Sequence, residues 1–213
     1  MHYCHIFQVR YRETSSDEFS ISVKLGCDQM SNTYRNNLIQ KILDKSEADV
    51  WNEAVQEWAI DDCEEDTSLR SACICGKEDL RYLFTIRNII NGNILFPIGS
   101  SCIKKFDRDD LNEKANIQEK LFKLLHAIEN GNFITLSPEY FSRKLLRYLY
   151  DKDVFQANKY NNYDSKVDYE FMLKMFNKKD KDSITLNQQR KINAIIMASI
   201  RPYLVELLTN KII

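Results

Sequence analysis

Glycine and proline are scarce in this chain, at 5 and 3 of its 213 residues. So few backbone breakers argue against a long low-complexity or disordered segment and suit an architecture rich in helix. Histidine is scarcer still, limited to His2, His5 and His126. His126 sits in a helical pattern beside Leu124, Leu125 and Ala127, which places it at the edge of a core rather than in the role of a base. The sequence holds no HExxH, GxSxG or Walker pattern, so it is not expected to be an enzyme. No run approaches the roughly 18–20 apolar residues of a membrane span. The start MHYCHIFQVRYRE lacks the basic-then-apolar profile of an export signal. Together these absences predict a cytoplasmic protein with no membrane partner.

Net charge is also small, at -1, which is weak support for tight binding to nucleic acid through phosphates alone. The charges are unevenly spread. Residues 1–70 carry 7 Lys/Arg against 14 Asp/Glu, and the remainder carries 23 against 17. The acidic end peaks at Asp61, Asp62, Glu64, Glu65 and Asp66. A basic group, Lys178, Lys179, Lys181, Arg190 and Lys191, flanks one interhelical link. Either set reads as a solvated face or as a surface that steers a partner.

What the chain does have is six cysteines: Cys4, Cys27, Cys63, Cys73, Cys75 and Cys102. Without an export signal, and with enough residues to bury a core, disulfide staples are not the expected use. A Cys-x-Cys pair is also too close for an easy mutual disulfide. Metal ligation or plain burial remains.

The organisation reads as α+β in three parts. Tyr3, His5, Phe7, Val9 and Tyr11 alternate, as do Phe19, Ile21, Val23 and Leu25, which predicts an N-terminal β-hairpin. TYRNNLIQKILDK predicts a short helix. EADVWNEAVQEWAIDD predicts a second, with Ser46 and Asp49 as a capping box and Trp51, Ala54, Val55 and Trp58 on its core face. In the second part, residues 63–106, Cys73-Ile74-Cys75-Gly76 is a tight turn. Leu80–Ile89 and Ile94–Ile98 are strands joined at Asn91-Gly92, a strong hairpin signal. Cys102-Ile103 begins a turn or helix, a position that favours a thiolate. The third part, residues 107–213, reads as a helical bundle and a second domain after 1–106. It runs as Leu111–Glu129 ended by Asn130-Gly131, a helix opened by Ser137-Pro138, one capped by Ser165 and Asp168, and a long last helix with a Thr185/Gln188 capping box. Pro202 is expected to kink or divide that last helix.

A hairpin brings its ends together. Cys73 and Cys75 precede this hairpin and Cys102 follows it, so the three converge across 26 intervening residues. A closed structural zinc site needs four ligands. Cys63, ten residues before Cys73, is the nearest spare thiol and the expected fourth. His5, Cys4 and Cys27 are the alternatives.

The pattern Cys73-x-Cys75-Gly76, Arg87-Asn88, Asn91-Gly92 and Ile98-Gly99-Ser100-Ser101-Cys102-Ile103 resembles a small cysteine-cluster module of poorly characterised bacteriophage and prophage proteins. Related sequences often place His directly after the Cys-x-Cys-Gly. Here Lys77 stands there, so a ligand role does not carry over to that position. The resemblance implies a phage setting, in the cytoplasm of a host cell, and not an activity. Small phage proteins often block host machinery. The leading expectation is therefore a zinc-containing interaction protein that binds a host or phage protein and inhibits, for example, a defence nuclease, with the acidic 61–66 segment as contact surface. The alternatives are a zinc-containing nucleic-acid-binding protein that uses the basic C-terminal half, and a metal-dependent nuclease.

Overall fold

A computed structural model describes the backbone of residues 25–213 and the side chains of residues 32–213. The chain is mixed α and β. The described residues form a three-stranded antiparallel sheet and a helical C-terminal region. The expected N-terminal hairpin lies outside the described residues, except for Leu25, expected in its second strand, which instead opens helix α1, Leu25–Leu43. That helix is longer than its apolar pattern suggests. Leu38 and Ile42, one turn apart, are fully buried.

The second predicted helix is cut short by a strand. Helix α2 spans only Trp51–Ala54 and a 3-10 turn covers Val55–Glu57. Strand β1, Trp58–Glu65, then begins. The helical spacing holds as far as Trp58: Ala54, Val55 and Trp58 are buried, and Trp51 packs edge-on against Phe106 with ring centres 5.5 Å apart. Beyond Trp58, pairing with β2, Tyr82–Asn88, overrides that pattern. Both tryptophans serve packing. Ser46 is no cap. Its hydroxyl donates to the Ile42 carbonyl and accepts from the Trp58 indole at 2.9 Å.

The β1–β2 register pairs Ile60 with Ile86 and Asp62 with Thr85, so Asp61 is the extra residue of a bulge. A single-residue slip sends every later side chain to the other face. Trp58 and Ile60 are buried before the bulge, and Cys63 and Glu65 after it. Acidic residues that read as one solvated run are thereby divided between solvent and interior.

Strand β3, Ile94–Ile98, returns antiparallel to β2. The turn is the expected one, with Gly92 at φ 77°. Asn88 builds it from beneath: its Oδ1 accepts from the amides of Ile90 and Asn91, and its Nδ2 donates to the buried Glu57 carboxylate at 2.6 Å. Glu57 in turn accepts the amides of Glu47 and Ala48, so the turn, α2 and the end of α1 are held by one carboxylate.

After the sheet come the short helix α3, Ser100–Ile103, and α4, Asp109–Glu129. The latter ends at Asn130-Gly131 as expected, with Gly131 at φ 67°. Its apolar face, including Leu111, Ala115, Phe122 and Leu125, is buried, and Lys114 donates to the Ile60 carbonyl of β1. Helix α5, Arg143–Asp151, is capped by Ser142, whose hydroxyl accepts from the Leu145 amide; Ser137 only anchors the turn before it. Helix α6, Ser165–Asn177, is capped by Asp164 rather than Ser165. Helix α7, Leu186–Ile195, carries the Thr185/Gln188 capping box as read. A π-helical turn, Ile196–Ile200, separates α7 from α8, Arg201–Leu208. The wider turn accommodates Pro202, which cannot donate and would crowd the preceding turn.

Contrary to the reading of no such run, Leu186–Lys211 is long and apolar enough to cross a membrane, with a mean hydropathy of 1.3 in its most apolar window. One side of it packs on the core through Ile192, Ile196, Ile200, Leu204 and Leu208, while Leu186 and Met197 stay exposed. The chain then returns to the sheet: the Ile213 amide donates to the Glu65 carbonyl, and the Thr67 amide to that of Ile213.

Just past β1, Asp66 is buried and organises the next loop. Its carboxylate accepts the hydroxyls of Ser68 and Ser71 and the amides of Ser68, Arg70 and Ser71. The two hydroxyls first, and the amides with them, hold this carboxyl far below the usual carboxylate range. A depressed folded-state pKa gives stability that is complete above the unfolded value of about 3.9 and fades as pH falls below it. Urea unfolding should therefore show wild type losing more stability than Asp66→Asn between about pH 7 and about pH 3. Equal losses would show that Asp66 carries none of the acid sensitivity.

Candidate metal centre

The Asp66 loop delivers the chain to a sharp turn. The Leu80 amide donates to the Ser71 carbonyl, the Cys73 amide to that of Lys77, and the Gly76 amide to that of Cys73. Gly76 sits at φ 94°, a conformation that side-chain-bearing residues rarely adopt. The Ile74 amide donates to the Pro97 carbonyl, which fastens the turn to the end of β3. Gly99 follows, packed so closely on Leu80 that a Cβ would meet Leu80 Cδ2 at 2.8 Å. Helix α3 then carries Cys102 inward.

The hairpin therefore does what its sequence position suggested. Cys102 Sγ lies 3.7 Å from Cys73 Sγ and 3.5 Å from Cys75 Sγ. The three sulfurs lie within 4.8 Å of one another, on side chains that are all buried, and this trio can hold a metal ion. Backbone amides point at it: Gly99 N–H donates to Cys73 Sγ at 3.5 Å, Cys75 N–H also to Cys73, and Lys77 N–H to Cys75.

Protons distribute unequally. The hydrogen bond from the Cys102 thiol, helped by the amides, draws Cys73 below the usual thiol range, despite burial. Cys102, donating to Cys73 and facing the charge that results, is pushed far above the usual thiol range. Burial raises Cys75. Cys102 lies in the short helix α3 as expected, and the donors converge on Cys73. A cation among the sulfurs would let all three ionise.

Cys63 does not join them. The bulge turns it into the β1–α4 side, where its thiol meets the Glu64 carbonyl at 3.7 Å. Burial, with Asp62 and Glu119 nearby, pushes that thiol well up. Of the alternatives, Cys4 and His5 lie outside the described residues, and Cys27 lies on α1 among residues whose side chains are not described. Helix α1 does reach the turn: Asn37 Nδ2 donates to the Cys75 carbonyl at 3.0 Å, and Tyr34 packs beside Gly76. No sequence signal marked either residue.

The charged residues singled out as partner contacts fare differently. Glu65 and Asp66 are buried, which removes them from any contact surface. Glu65 accepts from Arg81 at 2.7 Å and meets His126 Nε2 at 2.5 Å. Asp61 pairs with Arg87 and Asp62 with Lys211, and Glu64 is half-buried. On the basic side, Lys181 donates to the terminal carbonyls of α6 at Met175 and Phe176, and Lys178 to the Ser183 carbonyl. Lys191 pairs with the buried Asp168 at 3.0 Å. Lys179 and Arg190 are exposed. His126, read as an edge-of-core residue, also lines a polar cleft of about 950 Å³ with Arg81, Tyr82, Lys120, Lys123 and Glu139.

Cobalt titration separates the thiols. Wild type and Cys63→Ala should develop the same thiolate-to-metal charge-transfer absorption, and Cys102→Ser should lose most of it. A loss confined to Cys63→Ala would place the site elsewhere. No family model, curated protein or solved structure matches this chain.

Proposed function

We propose that the chain is a zinc-containing interaction protein in which the metal is architectural. One observation carries this reading: three buried cysteine sulfurs, 3.5 and 3.7 Å apart along two edges, with backbone amides aimed at them. Zinc–thiolate bonds of about 2.3 Å in a tetrahedron set sulfurs about 3.8 Å apart, close to this spacing. Soft thiolates in a tetrahedral set favour zinc among common divalent ions. A fourth donor from outside the trio would close the site and leave no coordination position for water, so no chemistry is assigned to the metal. Its work is to tie the Cys73 turn, β3 and α3 together, with α1 attached through Asn37.

The phage setting, and a host or phage protein as partner, rest on the resemblance of the cysteine module. The acidic stretch no longer supports that contact. The β2–β3 hairpin does, because Ile89, Ile90, Ile94 and Phe96 are all exposed around its tip. Apolar side chains gathered at one end of a soluble fold mark a contact surface more than scattered ones do.

Metal content decides the reading. Protein purified under reducing conditions, without a histidine tag or added metal, should carry close to one zinc per chain. Chelation should then lower stability by about 2.7 kcal/mol or more relative to zinc-saturated protein, the gain expected once free metal exceeds its dissociation constant by about a hundredfold. Zinc near zero, with an unfolding midpoint indifferent to chelator, would return the trio to the status of ordinary buried thiols.

A further inference from the structure

The sulfur trio is not symmetrical. Cys102 Sγ stands 3.5 Å from Cys75 Sγ and 3.7 Å from Cys73 Sγ. A disulfide sets its sulfurs about 2.05 Å apart, so either pair has only about 1.5 Å to close. Cys73 and Cys75 are a different case. They stand two residues apart in a turn whose backbone is already committed: the Ile74 amide donates to the Pro97 carbonyl, and the Gly76 amide to the Cys73 carbonyl. Backbone held in this way does not rearrange into the small ring that a Cys-x-Cys disulfide demands. Cys102 is therefore the partner common to both feasible bonds.

The surroundings keep these sulfurs facing one another. The Cys102 amide donates to the Gly99 carbonyl at 2.8 Å, and the Ile74 bond to Pro97, at 2.9 Å, fixes the opposing turn against the end of β3. Asn37 holds that turn from the side of α1. A bond from Cys102 to the turn thus joins two segments that already meet. The four described cysteines are all free thiols, and Cys63, turned toward the Glu64 carbonyl, stands outside the trio.

We infer that the trio is a reversible redox modification site, at which a peroxide joins Cys102 to Cys73 or to Cys75 as a disulfide. One sulfur, as thiolate, attacks a peroxide oxygen. The O–O bond breaks, an S–O bond forms, and the departing hydroxide takes up the proton that the thiol gave up and leaves as water. The second thiol then displaces the sulfenic hydroxyl. Its proton goes to that hydroxyl, the S–O bond breaks, the S–S bond forms and a second water leaves. In sum, two thiols and one hydrogen peroxide give one disulfide and two waters, the sulfurs losing the two electrons that the peroxide gains. Hydrogen peroxide is scarcely larger than water, so a local opening of the turn admits it although Cys73, the least enclosed of the three, is only 4% exposed. The third sulfur stays a thiol beside the new bond. Exchange can then carry the bond between Cys73 and Cys75, and a dithiol reductant removes it. One consequence rests on the architectural-zinc reading: the disulfide consumes two of the three ligands, so oxidation releases the metal and bound zinc slows oxidation.

Peptide mapping of the full chain tests the assignment. Trypsin cuts after Arg70, Lys77, Arg87 and Lys104, so Cys73 and Cys75 share peptide 71–77 and Cys102 lies in 88–104. Protein purified under reducing conditions is freed of reductant and divided, one part receiving chelator and the other zinc. Each is treated with hydrogen peroxide, its remaining thiols are alkylated, and the digest is read by mass spectrometry. The expected product in chelator is a cross-linked pair of 71–77 with 88–104 that dithiothreitol abolishes. Cys73→Ser and Cys75→Ser should each keep that cross-link, and Cys102→Ser should lose it. The wild-type map decides the matter even where a variant fails to fold. A disulfide confined within 71–77, a bond from Cys102 to any other cysteine, or no disulfide at all overturns the proposal. The zinc arm separates the two readings. Cross-linking should slow about a hundredfold once free zinc exceeds its dissociation constant by about that factor. A cross-link that forms at the same rate with and without zinc upholds the disulfide and counts against the metal alone.

Discussion

Strand β2 is the described strand paired on both sides, and both of its pairings have consequences beyond the sheet. On one side β3 runs back antiparallel, so the chain leaves the sheet at Gly99 next to where it entered at Leu80. The near-contact of those two residues is what sets Cys102 against the Cys73 turn. On the other side β1 pairs with a bulge at Asp61. That one extra residue exchanges inner and outer faces, which carries Cys63 toward α4 and Glu65 into the interior. The candidate metal centre and its missing fourth member have the same origin.

Buried charge in this fold is consistently matched. Glu57 accepts two amides and an asparagine, Asp66 accepts hydroxyls and amides, Glu65 meets Arg81 and His126, and Asp168 meets Lys191 and Asn161. Burial of a carboxylate is tolerable only on such terms. The thiol trio differs in kind. Its sulfurs meet one another and accept from backbone amides, with no opposite charge among them. A cation among the three sulfurs would let all of them ionise.

The division of charge along the sequence is not a division of surfaces. Much of the acidic 61–66 run is spent inside, on loop construction and ion pairs. Lys178, Lys181 and Lys191 are spent on helix ends and a buried carboxylate. What the surface displays most distinctly is aromatic and apolar: Tyr160 and Tyr163 between α5 and α6 at one place, and Ile89, Ile90, Ile94 and Phe96 around the hairpin tip at another.

Local chemistry made part of this legible in the sequence. Asn91-Gly92 announces a hairpin because few other pairs accept its turn. Asn130-Gly131 and Thr185 with Gln188 announce helix ends because orphan amides and carbonyls need such partners. The convergence of Cys73, Cys75 and Cys102 follows from the hairpin alone. Pairing partners decided the rest. The helical spacing of Trp51, Ala54, Val55 and Trp58 gives no warning of a strand, and only contact with β2 makes residues 58–65 β1. The bulge has no signature in the order Ile60-Asp61-Asp62-Cys63, since either face could be buried until α4 covers one of them. Neither Asn37, which binds the Cys75 carbonyl from 38 residues away, nor the pairing of Glu65 with His126, 61 residues apart, leaves a trace in local sequence. Contacts of that range exist only once the chain has been brought together, so the tertiary structure, and not the spacing of residues, settled which thiols and which charges meet.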